Sequence, residues 1–564
     1  MSSLTEGFPL TSVGLDCRSC YKCIRSCPTK AISFHDGVAR ILPEECVLCG
    51  QCYRVCPQGA KEIRDDREKA KAILKEGNAY CSLAPSFLSA YPKASFEGME
   101  KALLSLGFLG VEETAVGATI VKREYDRLAD DPKRDVTIST CCHSVILLVE
   151  RYYPDLLPLL APIKSPMRNH GALLKKEHPG AKVIFVGPCI SKKHEADRYP
   201  DDVDCVLTFP ELDALLKERG IQIPEEYSFA KRGESKARLF PMEGGILKTM
   251  DCDSPSTHYL SLSGMEECMG ALEAIRRGEI HHAFLEMSSC RGSCLHGPAL
   301  PLGAFSPEAG ALKIMDMAGR KDFAIPPMNP RETSTQFFSS SRKKKEYSEA
   351  EIASVLAKIG KTKKKDELNC SSCGYSSCRE KAVAVLEGKA NLTMCLPYLM
   401  DKAQSLSREV VSRSDLGILV LDESLKIEMA NPAMAALLGT SQSELIGKDA
   451  GDFLDPEPFA SALMGEATRK KKIQLDRYQK ILLEDVSYDS KYRALICFYE
   501  DVTKKEEEKA KRQKLARESA ALTDEILDKN MRTVQEIAQL LGESTAETKV
   551  ALNHLKDAMK NDDD

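Results

Sequence analysis

The sequence predicts a multidomain chain of mixed class, with an α/β domain in its centre, an α+β domain after it and small metal-binding modules on both sides. Three observations predict this. At 564 residues the chain holds about three to five domains of roughly 150 residues. It carries 22 cysteines, most of them in groups with metal-ligand spacing. The apolar pattern also changes along the chain: strand-like runs alternate with helical stretches in the middle and give way to a run of short strand-like segments further on.

Composition excludes several classes of function. Hydrophobic residues make up 43% and charged residues 29%, and no run approaches the roughly 18 apolar residues of a membrane span. No membrane partner is expected. The opening Met1-Ser2-Ser3-Leu4-Thr5-Glu6-Gly7 lacks the basic and apolar regions of a secretion signal, so a cytoplasmic location is expected. The net charge of -5, from 79 Lys+Arg against 84 Asp+Glu, gives no reason to expect nucleic acid. In a reducing compartment, 22 cysteines argue for metal ligation over disulfides.

Residues 1–70 contain Cys17-x2-Cys20-x2-Cys23-x3-Cys27-Pro28 and its repeat Cys46-x2-Cys49-x2-Cys52-x3-Cys56-Pro57. In this spacing three thiolates grip one cubane while the fourth, before proline, completes the cluster of the other repeat. The expected sets are Cys17, Cys20, Cys23 with Cys56, and Cys46, Cys49, Cys52 with Cys27. Structural zinc, the alternative, uses four-ligand sets and not an interlocked eight. The segment resembles bacterial two-cluster ferredoxins, which implies two 4Fe-4S clusters and electron transfer.

Residues 75–330 alternate strand-like runs such as Lys182 to Val186 with helical ones such as Ile146 to Tyr153. Three cysteine-bearing loops follow apolar runs: Ser139-Thr140-Cys141-Cys142-His143, Val186-Gly187-Pro188-Cys189, and Ser288-Ser289-Cys290-Arg291-Gly292-Ser293-Cys294. Loops at strand C-termini are where open α/β sheets place ligands. Cys142, Cys189, Cys290 and Cys294 suffice for a further cubane. In this order, behind the cysteine repeat, the loops resemble the signature loops of FeFe-hydrogenases over roughly residues 15–305. The resemblance implies an H-cluster: a 4Fe-4S cluster on Cys142, Cys189, Cys290 and Cys294, with Cys294 bridging to a two-iron subsite that carries CO, cyanide and azadithiolate. It also implies that Lys192 donates to a cyanide ligand, that Pro188 and Ser288 line the subsite, and that Cys141 passes protons.

The departures from that family matter as much. Where catalytic members run Cys-Cys-Pro-Gly-Trp, this chain has Cys141-Cys142-His143-Ser144-Val145. Gly187 and Ser288 stand where those members carry methionine, and the third loop ends Cys294-Leu295-His296-Gly297-Pro298. Thr119-Ile120-Val121 is followed by Lys122-Arg123-Glu124-Tyr125-Asp126, so Arg123 and Asp126 occupy the family's two acid positions, or Glu124 the first with a shift of one. Ala161 aligns with the relay serine. A guanidinium cannot relay protons, and lost acid–base steps cost about 10² to 10⁴ in rate, so slow turnover is expected. His143, His281 and His282 are assigned no role, and Cys81, Cys205, Cys252 and Cys268 are read as structural thiols.

Residues 331–365 read as a linker, with Ser339 to Lys345 ending in a charge run. Residues 366–402 carry Cys370, Cys373, Cys378 and Cys395 at gaps that resemble the small 4Fe-4S domain of corrinoid iron–sulfur proteins and sensory hydrogenases; zinc remains the alternative. Residues 405–503, with Leu416 to Leu421, the turn Asp422-Glu423, the helix start Asn431-Pro432 and strand-like runs Lys471 to Leu475 and Tyr492 to Tyr499, resemble a PAS domain. Residues 504–564 place Leu527, Met531, Val534, Ala538 and Leu541 on a heptad seam, favouring a homodimer, or else the core face of a helical hairpin.

The whole order resembles the sensory FeFe-hydrogenases. This implies three 4Fe-4S clusters besides the H-cluster, and H2 and protons as substrates. It further implies that H2 or redox state is relayed through the clusters to the PAS domain, and from there to a separate signalling phosphatase or kinase or a redox carrier protein. The alternatives are a catalytic FeFe-hydrogenase reducing a soluble carrier, and an iron–sulfur scaffold or redox relay without the two-iron subsite.

Overall fold

The computed structural model describes residues 7–225, 235–251, 257–301, 304–341, 345–503 and scattered positions between 530 and 553. Of the C-terminal seam, Leu527 lies outside the described residues, as does Cys252, while Met531, Val534 and Leu541 are exposed and Ala538 is half-buried. The chain divides into two units, residues 1–392 and 393–564.

The first unit begins with a pseudo-symmetric cysteine module. Strand β1 (Leu10–Ser12) pairs antiparallel with β4 (Lys61–Ile63), and β2 (Ile32–His35) forms a hairpin with β3 (Val38–Ile41). Asp36 and Gly37 both take positive φ, 51° and 76°, the geometry a two-residue hairpin turn demands. Two short helices, Lys22–Ser26 and Gln51–Arg54, each carry the third cysteine of a repeat, Cys23 and Cys52.

Next comes the α/β domain, built on two parallel sheets. One has the order β6-β5-β8-β9, from β5 (Ala79–Leu83), β6 (Gly110–Glu113), β8 (Lys182–Gly187) and β9 (Cys205–Thr208). The other has the order β10-β11-β7, from β7 (Val136–Ile138), β10 (His258–Ser263) and β11 (Ala283–Ser288). The strands read as apolar runs because both faces are covered. Leu83, Ile184, Val186 and Leu207 pack with Phe87, Met99 and Leu103 in the core over the first sheet.

Within the stretch read as a linker, Glu349–Ala357 is a helix whose Ile352, Val355 and Leu356 are buried. It packs against helix Cys378–Leu386. Ser348 caps it with Glu351 in a capping box, a local signal that the surrounding charge obscured.

The second unit contains a five-stranded antiparallel sheet, order β13-β12-β16-β15-β14, made of β12 (Gly417–Asp422), β13 (Ile427–Ala430), β14 (Thr468–Leu475), β15 (Lys480–Asp489) and β16 (Ala494–Asp501). Asn431 caps helix Pro432–Leu437 and donates to the carbonyls of Val411 and Leu416, tying the preceding chain to the sheet. Among the described residues no helix is long and apolar enough to cross a membrane.

Candidate functional site

Each cysteine loop of the α/β domain leaves the C-terminal end of a parallel strand. After β7 the chain turns through Cys141 and Cys142 straight into helix His143–Tyr152, for which Cys142 is the N-cap. After β8 come Pro188 and Cys189, then helix Ser191–Arg198. After β11 the chain passes Cys290, turns at Gly292 (φ 75°) and reaches Cys294. These three ends converge on one cavity of about 120 Å³. Its wall includes Cys142, Cys189, Cys290 and Cys294, with Cys141, Pro188, Lys192 and Ser288.

The donor set fits an iron–sulfur cluster on chemical grounds. Burial and the neighbouring thiols Cys189 and Cys142 push both Cys290 and Cys294 well above the ordinary thiol range. Cys294 is exposed by area because it faces the cavity, yet the surrounding protein still desolvates it. Neighbouring thiols resist ionising together in a low dielectric, as at Cys189, Cys290 and Cys294; a bound metal cluster would reverse that cost by deprotonating them outright. Hydroxyls supply the remaining polarity: Ser289 lies 3.5 Å from the Cys142 sulfur and Ser191 lies 3.1 Å from that of Cys189.

Beyond the four cysteines the cavity is walled by Met167, Phe185, Phe240 and Ala118, which keep it largely apolar. At Gly187, where catalytic relatives carry methionine, a Cβ would meet the Phe185 ring at 2.7 Å, so this chain fills the space from a neighbouring position. Ser288, at the other methionine position, lines the cavity and shares a 2.8 Å hydrogen bond with Ser293.

Lys192 is buried, donating to the Cys141 carbonyl at 3.1 Å and pairing with Glu195. Burial alone lowers its ammonium, but the Glu195 carboxylate outweighs that and holds it above its ordinary value, so it stays charged. The Cys141 thiol is pushed up to about 12, chiefly by burial, and remains protonated. Its sulfur lies 3.2 Å from the hydroxyl of Tyr125, a residue to which the sequence assigned no role.

The acid positions are not assembled as a relay. Arg123 donates to the Ile325 carbonyl, Glu124 pairs with Arg127, and Asp126 accepts from the Asp251 backbone N–H. None of the three is in the cavity wall among the described residues. Ala161 is buried beside Cys141 in one apolar cluster, and its carbonyl accepts from Thr140. A different acid lies near: Glu286, on the same face of β11 as the Phe284 ring that packs edge-on against Tyr125. Burial pushes its carboxyl up to about 7. In sequence Glu286 is one polar residue in an apolar strand, and only its surroundings distinguish it.

His143 is buried against His194, with 2.9 Å between Nε2 and Nδ1, and desolvation drives it well below the ordinary histidine value. His281 and His282 are exposed beside Asp135, as befits surface residues. Cys81, Cys205 and Cys268 are buried thiols.

In the cysteine module, Cys17, Cys20, Cys23 and Cys56 line one pocket, and Cys27, Cys46, Cys49 and Cys52 line another, the interlocked sets that the repeat predicts. The second pocket adjoins the central cavity. Gly50 (φ 73°) allows this, because a Cβ there would meet Pro298 at 2.4 Å. The Cys290 thiol accordingly feels the charge of Cys49 as well as those of its own set. Cys370, Cys373 and Cys378 lie in the first unit, where Lys30 donates to the Gly374 carbonyl and Lys389 pairs with Glu45. Cys395 lies in the second unit, buried at the start of helix Leu396–Ser412.

Comparison with known proteins agrees with this arrangement. Residues 78–298 match the family model of the iron only hydrogenase large subunit, C-terminal domain. Residues 16–60 match the 4Fe-4S dicluster domain, 366–397 an Fe-S cluster family and 406–471 the PAS domain. The Periplasmic Fe hydrogenase large subunit of Nitratidesulfovibrio vulgaris is 25% identical over 381 residues, 55% of this chain and 89% of that protein. The NADP-reducing hydrogenase subunit HndD of Solidesulfovibrio fructosivorans is 30% identical over 361 residues, 53% of this chain, and the match spans 58% of that relative. The cytosolic Fe-S cluster assembly factor NAR1 of Eremothecium gossypii is 36% identical over 106 residues, 18% of this chain and 23% of that one. Among solved structures, an FeFe-hydrogenase HydA1 of Chlamydomonas reinhardtii aligns at 17% identity and a TM-score of 0.39, covering 48% of this chain and 99% of that one. The chain is an FeFe-hydrogenase-like protein with iron–sulfur and PAS domains.

Proposed function

We propose that the chain is a sensory FeFe-hydrogenase that interconverts H2 with protons and electrons slowly and passes the resulting redox state to its PAS domain. The observation that carries this reading is the cavity itself, lined by four cysteines together with a charged lysine and a protonated thiol. A scaffold for a cubane alone has no use for a buried ammonium or for space beyond its ligands. Cys142, Cys189, Cys290 and Cys294 would hold the cluster and Cys294 the bridge to a two-iron group. When bound, such a group would supply the metal chemistry of H2.

The chain's own residues set the rate. Cys141 holds a proton at Sγ next to the Tyr125 hydroxyl, Lys192 presents fixed positive charge to anionic ligands, and the apolar wall excludes bulk water. Glu286 titrates near neutral pH on the face of β11 that Tyr125 covers. Nothing joins Cys141 to Arg123, Glu124 or Asp126 among the described contacts, which supports slow turnover. Electrons would leave through Cys49's cluster, the one beside Cys290. The output is proposed to act on a separate phosphatase, kinase or redox carrier, from a homodimer.

Infrared spectra of anaerobically matured protein test the reading. Sharp CO and cyanide bands that shift under H2, with low turnover on the same sample, are expected. Intact cubanes without such bands would instead favour an iron–sulfur assembly role, the reading suggested by the 36% identity to NAR1. Hydrogen exchange in residues 405–503 that is the same under H2 and under oxidant would overturn the sensory half.

A further inference from the structure

Proton supply is the unsolved part of this site. On the Cys141 side the hydrogen bonds stop early: Tyr125 meets Thr140, whose hydroxyl donates to the carbonyls of Ala161 and Ile163. A peptide carbonyl accepts a hydrogen bond but carries no proton onward.

Another part of the lining differs. Thr114, which lines the cavity, lies with its hydroxyl 2.7 Å from that of Ser82. Ser82 lies 2.8 Å from Nδ1 of His170, and Nε2 of His170 lies 3.3 Å from a carboxylate oxygen of Glu112. Ser82 and His170 are fully buried and Thr114 nearly so, whereas the Glu112 side chain is 37% exposed. We propose that Thr114, Ser82, His170 and Glu112 form a proton wire from the protein surface to the cavity. It takes the place of the relay that the chain lacks beside Cys141. The inference rests on the reading of the cavity as a place where protons are consumed and released.

Each member has the chemistry for the task. A hydroxyl that accepts from one neighbour and donates to the other passes a proton by exchanging bonds, and an imidazole takes a proton on one nitrogen while releasing one from the other. For inward transfer, the Glu112 carboxylate, which its hydrogen bond with His170 holds below the ordinary value, takes a proton from solvent and hands it to Nε2, the Nδ1 proton goes to Ser82, the Ser82 proton to Thr114, and the Thr114 proton into the cavity. One proton enters and one leaves, with no electrons moved; hydroxyl rotation and a change of histidine tautomer reset the chain. At the mouth, ligand atoms of Glu112, Glu177 and His178 lie within 4.8 Å of one another, a cluster suited to exchanging protons with solvent.

The fold holds the geometry. Ser82 and Glu112 are register partners on β5 and β6. His170 bridges them from helix Pro166–Glu177, which lies against helix Ala115–Ala129 at Gly117. A Cβ at Gly117 would meet the Pro166 carbonyl at 2.2 Å and the His170 Cβ at 2.7 Å, so glycine there is what lets the imidazole reach Ser82. If the polar chain only satisfied buried groups, it would have no need to run unbroken from cavity to surface.

The test uses the matured full chain and light-triggered release of a caged proton, following the shift of the infrared bands with time. In Ser82→Ala and His170→Gln, the equilibrium band positions should be unchanged. The rate of the shift should fall by about 100-fold or more, the lower end of the range for lost acid–base steps. Ser82→Thr, which restores the hydroxyl, should return the rate to within about two-fold of the unsubstituted chain, and Thr114→Val should reproduce the loss from the cavity end. Unchanged rates in Ser82→Ala, His170→Gln and Thr114→Val, with the bands intact, would overturn the wire and leave the hydrogenase reading standing. Absence of bands in the unsubstituted chain would overturn that reading, and the wire with it.

Discussion

In the N-terminal domain, Cys27, Cys46, Cys49 and Cys52 share their pocket with Leu10, Ile32, Ile41 and Val47, and it encloses only about 10 Å³. In the central domain four cysteines line a cavity of about 120 Å³, whose wall also carries a lysine, a further thiol and a threonine. The ligand chemistry is the same and the surroundings differ. A pocket lined by apolar side chains holds a cluster whose charge can change and whose protonation cannot, which suits electron transfer. A cavity with spare volume and protonable groups suits chemistry that couples electrons to protons. What surrounds the thiolates, and not their number, separates the wire from the site.

Five substitutions sharpen or break that contrast. The largest effect is expected at Cys294. Cys294→Ala should remove the CO and cyanide bands and cut turnover more than about 100-fold, beyond the roughly 10- to 100-fold lost with outer metal partners. Cys49→Ala should leave the bands in place and delete one cluster's paramagnetic signal; loss of the bands in both variants would erase the distinction between the pockets. Cys141→Ala comes next, with turnover falling by about 10² to 10⁴ while the infrared spectrum persists.

Third is a dependence on pH. The Glu286 carboxyl rises from 4.5 to about 7 in the fold, so between those values the native state binds more protons than the unfolded chain. Its contribution to stability is full below pH 4.5, falls as pH rises to about 7 and is level above, a span of about 3 kcal/mol. Glu286→Gln should flatten that part of a series of denaturant midpoints. His194 slopes the opposite way, since desolvation lowers it from 6.5 to about 4 and its contribution is lost on acidification across that range. The difference between variant and unsubstituted chain isolates Glu286. The smallest effect on rate is expected for Tyr125→Phe, which also removes the acceptor of the Thr140 N–H; the lost hydrogen bond to Cys141 is worth about 1 kcal/mol or less than about ten-fold in rate. A larger loss would make the tyrosine a proton carrier in its own right.

Legibility varied with how local each signal was. The PAS sheet was readable at β12, at the Asn431 cap and at β16, but β15 was missed. That strand carries Glu484, which is buried by a 3.0 Å bond from the Tyr499 hydroxyl of the neighbouring strand, so an acid that reads as solvent-facing is internal. The helix Glu349–Ala357 was hidden in the same way, its apolar stripe too short to stand out beside a run of lysines.

By itself the sequence determined the cysteine sets of the N-terminal domain and the three loops of the central one, because ligand spacing is a property of a few consecutive residues. It also determined that Arg123 stands at one of the family's acid positions and Ala161 at that of its relay serine. Only the tertiary structure decided what serves protons in their place. Tyr125 reaches Cys141 across 16 residues, Ser82 reaches His170 across 88, and His170 reaches Glu112 across 58. Contacts at such separations arise from the packing of strands and helices, and a lone serine, histidine or tyrosine within an apolar element shows no period or spacing by which to recognise its partner.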